Sequence, residues 1–196
     1  ISANISISNK GDEPAESLQL EGSLGSITNL SRIHESPLDP NKNFSITLDL
    51  GPAPQAPGIY TIALKVHYAD ANGYPSTAVS SIPAITGEPD NMKEPLAATL
   101  SSERIDKDGE ITLTLSSRSK TMLDASARLL CPDELLCAPP SISIAVKPGS
   151  TSCLKFKIHN TSALQNSTYP LTAIVDCMDG SFHRSTTACG LVRISS

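Results

Sequence analysis

The chain has 196 residues, 39% of them hydrophobic, and a formal net charge of −5 at pH 7. No run approaches the ~18 consecutive apolar residues of a membrane-spanning helix, and the acidic balance argues against a nucleic-acid partner, because neutralising phosphates needs clustered Lys and Arg. Charge is uneven: residues 1–90 hold four basic and ten acidic side chains, a balance of −6, while residues 91–196 hold eleven and ten, a balance of +1, with no like-charge run in either half.

The chain opens in strand-like sequence. Ile1, Ala3, Ile5 and Ile7 alternate with Ser2, Asn4, Ser6 and Ser8, the period of two that marks a half-buried strand. A start with neither a basic n-region nor an apolar h-region carries no signal peptide and reads as an excised or processed piece of something longer. Asn9, Lys10, Gly11 and Asp12 form a turn signal. Alternation restarts at Leu18 and Leu20, and again at Phe44, Ile46, Leu48 and Leu50 after a Pro-rich loop around Pro37 and Pro40. The clearest strand follows, with Tyr60, Ile62, Leu64, Val66 and Tyr68 on one face and Thr61, Ala63, Lys65 and His67 on the other. Asn72-Gly73 closes it with the positive φ angles a hairpin turn requires, and a return strand is expected over 74–85.

The stretch 87–95 is polar, contains Pro89 and Pro95, and lacks periodicity, so the domain boundary is placed there. Strands resume over 96–100, at Ile111, Leu113 and Leu115, at Ala127, Leu129 and Cys131, at Ile142, Ile144 and Val146, and at Leu154, Phe156 and Ile158. No apolar pattern of helical period persists beyond about two turns, so helix is expected to be nearly absent. An internal repeat sets the domain count. With Tyr169 aligned under Tyr60, Leu171 falls under Ile62, Ala173 under Leu64, Val175 under Val66, Cys177 under Tyr68 and Asp179 under Asp70, after which each copy turns at a glycine, Gly73 or Gly180. The sequence therefore predicts an all-β protein of two tandem immunoglobulin-like or fibronectin type III-like sandwiches, residues 1–88 and 96–196, with a linker at 89–95.

All five cysteines, Cys131, Cys137, Cys153, Cys177 and Cys189, lie in the second half, and none shows the CxxC spacing of a zinc or redox site. Structural disulfides of an oxidising compartment are the expectation, with one thiol left over. Cys131 and Cys137 flank a short loop that begins at Pro132 and form the first candidate pair; for the other three no connectivity can be read. The alternative is a reduced protein with buried thiols.

His34, His67, His159 and His183 are scattered, no serine sits in a GxSxG turn and no HExxH occurs, so no catalytic residue, metal ligand or cofactor site is assigned. Asp106, Asp108 and Glu110 resemble the start of a calcium loop, yet the bidentate Glu such a loop needs is missing, and an acidic turn is the simpler reading; Asp70 and Asn72 are read likewise. Sugar platforms rely on exposed aromatic faces, above all Trp, and the chain has none, so sugar binding is possible but not favoured. Asn-x-Ser/Thr sequons at Asn4, Asn29, Asn43, Asn160 and Asn166 are attributed to chance in a chain rich in Asn and Ser.

The residues also carry a family resemblance. Asn9-Lys10-Gly11 after the first strand, and Pro57-Gly58-Ile59-Tyr60 leading into a strand that ends Tyr68-Ala69-Asp70, resemble the bacterial and archaeal cell-adhesion-related domain family. The second half, with Val146-Lys147-Pro148-Gly149, Ile158-His159-Asn160-Thr161-Ser162 and Tyr169, resembles the NPCBM-associated Ig-like family. The resemblance implies Ig-like sandwiches in tandem on secreted, surface or membrane-anchored proteins, used as spacers or accessory modules, and it brings no catalytic residue. The expected role is a non-catalytic, extracytoplasmic spacer and protein-interaction module at the cell surface or in the periplasm. It would be part of a larger membrane-anchored or surface protein, and its partner is another protein or the remainder of that polypeptide. An accessory carbohydrate-binding module and a pilus-type periplasmic chaperone are the alternatives. Any binding surface is expected at sheet edges or in the interdomain groove, because edge strands offer unpaired backbone groups.

Overall fold

In the computed structural model, which describes residues 1–25, 27–32, 37–88 and 94–195, the period-two segments are strands, and no helix forms among the described residues. The chain divides into two units: Ile1–Ala53 with Ile62–Ile82, and Pro54–Thr61 with Pro83–Ser196. Both are β-sandwiches. Residues 89–93 of the expected linker lie outside the described residues, as does His34.

The first unit is built from β1 (Ser2–Ser8), β2 (Glu16–Leu24), β3 (Ile27–Arg32), β4 (Asn43–Asp49) and most of β5 (Gly58–Ala69) and β6 (Pro75–Thr86). One sheet runs β3-β2-β5-β6, and β1 pairs antiparallel with β4 as a second sheet of two strands. Leu18, Leu20, Leu24, Ile62 and Leu64 from the wider sheet are buried with Ile5, Leu48 and Leu50 from the narrower side. The sheets meet closely at Gly22, where a Cβ would stand 2.1 Å from the Leu48 side chain. The turn at Asn72-Gly73 forms, but only Gly73 takes a positive φ (81°), not both residues as read: its N–H donates to the Asp70 carbonyl, and the Asp70 carboxylate accepts from Asn72 N–H and Tyr74 N–H.

The second unit holds β7 (Leu96–Leu100), β8 (Glu103–Ile105), β9 (Asp108–Ser117), β10 (Leu123–Leu130), β11 (Leu135–Ala138), β12 (Ser141–Val146), β13 (Thr151–Asn160), β14 (Thr168–Asp179) and β15 (Phe182–Ile194). One sheet is ordered β11-β13-β9-β7; the other runs β12-β10-β14-β15, with β8 lying parallel to the far side of β15. Alternation along β9, β10, β13 and β14 sends Ile111, Leu113, Leu115, Ala125, Ala127, Leu154, Phe156, Ile158, Leu171, Ala173 and Val175 into one core. Phe156 is its one fully buried aromatic side chain, with no measurable exposure.

The repeat has a structural counterpart: β5 and β14 each begin a long hairpin, with β6 and with β15, and each pairs on its other side with an earlier strand, β2 or β10. Three strands escape the sequence reading. β3 shows no period of two because Ile27 and Leu30 lie on an edge and both stay exposed. β8 is three residues long, and β11 lies inside the segment read as a loop between Cys131 and Cys137. The expected two-faced pattern of β5 also breaks down: Thr61, Ile62, Ala63 and Leu64 are all buried, where the chain passes from the second unit into the first.

Phe156→Ala is expected to lower the stability of the second unit by about 3–5 kcal/mol, the range for removing a buried aromatic ring. Urea unfolding followed by circular dichroism checks this, and a midpoint unchanged from the parent chain would contradict the packing described.

Candidate functional site

Cys131 and Cys137 are joined by a disulfide, with Cα atoms 6.8 Å apart, and the bridge ties the end of β10 to β11. The remaining cysteines correct the expectation of a single leftover thiol, for three are unbridged: Cys153 and Cys189 exposed, Cys177 buried. Their placement explains why. Cys153 lies on β13 of one sheet and Cys189 on β15 of the other, both on outward faces, whereas Cys177 points into the core from β14. Burial, helped by Asp179 and Asp176 and opposed by Arg184, pushes the Cys177 thiol up to about 11, so it stays protonated and poorly nucleophilic near neutral pH.

The acidic turn disperses across the outer face of its sheet. Asp108 accepts a 2.7 Å hydrogen bond from His159 directly across the β9–β13 ladder, and Glu110 accepts one of 2.6 Å from Lys155. That hydrogen bond, with the Glu110 charge behind it, raises the Lys155 pKa. Among the described residues the aromatic side chains do not assemble a platform, since Tyr74 is the only one that is mostly exposed.

His183 organises the start of β5 within the second unit. Its backbone N–H donates to the Pro57 carbonyl at 2.9 Å, its Nδ1 lies 2.8 Å from the Ile59 carbonyl, and its ring stacks on Tyr60 at 3.8 Å with 3° between the planes. Ser185 Oγ donates to Thr61 Oγ1 at 2.7 Å. Gly58 makes this approach possible: it has φ 143°, and a Cβ there would stand 2.1 Å from the His183 carbonyl oxygen. Desolvation, and secondarily the charge of Asp176, raises the Tyr60 pKa. Beyond the ring, Nε2 faces Asp176 Oδ1 at 3.7 Å on the wall of a broad cleft of about 560 Å³ that also holds Ser126 and Ser143. Both ring nitrogens are thus directed at orienting acceptors, and the thiol beside them, Cys177, is the protonated one. The arrangement pins a chain segment.

The feature with the geometry of a binding site lies in the first unit, at the outer edge of β1. Leu50 N–H donates to the Ile1 carbonyl and Asn9 N–H to the Lys42 carbonyl, with Ala3, Ile5 and Ile7 opposite Leu48, Ile46 and Phe44 between them. In an antiparallel ladder hydrogen-bonded pairs recur at every second residue. The odd-numbered residues of β1 therefore direct their backbone groups at β4, and those of Ser2, Asn4, Ser6 and Ser8 point away from it. Among the described residues β1 has no other strand partner. Asn4 and Ser6 instead line a groove of about 280 Å³ whose partly exposed apolar lining is Val66 of β5 with Val79 and Ile82 of β6, above the buried Leu20 and Leu64. At Ile7 and Val66 it continues into a second hollow of about 340 Å³, where Lys10, Asp12, Glu13 and Asp70 lie. The alternation of β1 was legible in the sequence; which neighbour it takes, and hence which backbone groups stay open, was not.

No family model matches the chain, and no curated protein matches it. Solved structures similar to it include the native conformation of Escherichia coli alpha-2-macroglobulin, at 12% identity and TM-score 0.41, covering 85% of this chain and 10% of that one. The periplasmic chaperone SfaE is similar at 11% identity and TM-score 0.34, covering 51% and 58% respectively, and CBD12 from CALX1.2 at 10% and 0.32, covering 98% and 93%. The chain thus spans about a tenth of the alpha-2-macroglobulin chain.

At about pH 8 a small alkylating reagent is expected to modify Cys153 and Cys189 in the folded chain and to leave Cys177 unmodified until denaturant is added. Timed mass spectrometry reads this, and equal rates at all three would contradict the burial of Cys177. Because folding raises this pKa, the thiol's contribution to stability is whole below the ordinary thiol range and is lost as pH climbs through about 11.

Proposed function

We propose that the chain is a non-catalytic extracytoplasmic module, two tandem Ig-like sandwiches that act as spacer and protein-interaction surface within a larger membrane-anchored or surface protein. The observation that carries the reading is the Cys131–Cys137 bridge, because disulfides persist in oxidising compartments and are rare where thiols are kept reduced. Its placement fits a structural role: it closes a six-residue separation at the margin of a sandwich, and Cys131 is buried with the core. The open edge of β1 supports the interaction half of the proposal, since unpaired backbone groups beside an apolar groove offer a partner both hydrogen bonds and buried area. The resemblance of the two halves to adhesion-related and accessory Ig-like families belongs to the same proposal. No helix among the described residues is long and apolar enough to cross a membrane.

Intact mass of the exported chain, alkylated under denaturing conditions with and without prior reduction, tests the reading. Three alkylations before reduction and five after it are expected. Five alkylations without reduction, on protein recovered from an oxidising compartment, would remove the basis for an extracytoplasmic module.

A further inference from the structure

We propose that the open edge of the first unit accepts one extended segment of a partner protein. The segment carries apolar side chains at alternate positions and a cationic side chain at the end that meets Asp12 and Glu13. This deepens the interaction-module reading and rests on it.

The backbone defines the chemistry of the occupant. Ser2, Asn4, Ser6 and Ser8 present N–H and C=O groups on the side of β1 away from β4, so donor–acceptor sites recur at every second residue, roughly 6.6 Å apart. Only another extended backbone offers complementary groups at that repeat. The lining defines its side chains. A strand laid along β1 would turn every second residue toward the partly exposed Val66, Val79 and Ile82, where apolar groups are favoured, and the others toward water. The sheet that β1 forms with β4 is also narrower than the β3-β2-β5-β6 sheet it covers, so an added strand would extend it over apolar surface already present.

Charge selects among strands. At the far end of the groove Asp12, Glu13 and Asp70 outnumber Lys10, and the first unit as a whole carries eight acidic and four basic residues. A cation there gains favourable contact and an anion is repelled. A second copy of this chain is a poor occupant. Ile1, Ala3, Ile5 and Ile7 already face their own core, so β1 pairing with β1 would leave Val66, Val79 and Ile82 uncovered.

The test uses the purified 196-residue chain and a synthetic octapeptide alternating valine and threonine, with lysine at one end. Saturable binding by titration calorimetry is expected. N-methylation of alternate peptide residues in the register facing β1 should weaken binding by about tenfold or more, as the loss of backbone hydrogen bonds requires, while methylation in the other register leaves it unchanged. Replacing the terminal lysine by glutamate should weaken binding at low salt, and the difference should shrink as salt is added. On the protein side, Ser6→Pro removes one outward N–H without touching the ladder to β4, and should weaken binding by up to about tenfold. If that variant unfolds, the peptide methylation series decides alone. Absence of binding, equal loss in both methylation registers, or a concentration-dependent dimer of the chain that blocks the peptide would each overturn the proposal. A failed peptide titration on a chain that carries the Cys131–Cys137 bridge removes only the acceptor site. Five free thiols after export remove the extracytoplasmic module instead, whatever the peptide does.

Discussion

Every residue of a strand must direct its backbone N–H and C=O to one side or the other, and the direction reverses at each residue. In β1 this constraint assigns the odd-numbered residues to β4 and leaves the even-numbered ones facing outward. The side chains alternate with the same period, so the exposed serines and asparagine of β1 are also the residues whose backbone is unpaired. A strand of this kind is half finished: one face lies on a core and one edge has nothing beside it among the described residues. The groove along β1 and the acidic hollow that continues it both follow from that geometry.

The second unit meets the same constraint with more strands. Its two sheets enclose Phe156 and the aliphatic rows of β9, β13 and β14, and the Cys131–Cys137 bridge fixes β11 where a four-residue strand would gain little from its own ladder. Its charged side chains pair across strands on the outer face, as Asp108 does with His159 and Glu110 with Lys155. Pairs this exposed contribute little to stability and leave the weight on the core. The segment Pro54–Thr61 belongs to this unit through the His183 backbone and ring, a contact that only a residue without a Cβ at position 58 permits.

Much of the fold could be read from residues because sandwiches write a period of two into the chain. β1, β4, β9, β12 and β13 each show an unbroken alternation with one face apolar, and that alternation is the physical record of a half-buried sheet. β3, β8 and β11 left no such record: Ile27 and Leu30 of β3 are exposed, and the other two are too short for a period to emerge. The bridged pair was legible because Cys131 and Cys137 are close in sequence. The fate of Cys153, Cys177 and Cys189 was not, since it depends on which sheet and which face each strand occupies. The groove was legible only in part. The polar row of β1 identified its outer face, but its open edge depends on pairing with a strand that begins at Asn43, a long-range choice that local pattern does not encode.

Amide hydrogen exchange on the isolated chain at low concentration, resolved residue by residue along β1, reads which backbone groups of the strand are open. An open outer edge gives alternation: slow exchange at Ala3, Ile5 and Ile7, whose amides pair with β4, and fast exchange at Asn4, Ser6 and Ser8. Uniform protection along the strand would mean that the outer edge of β1 is already covered, and would contradict it.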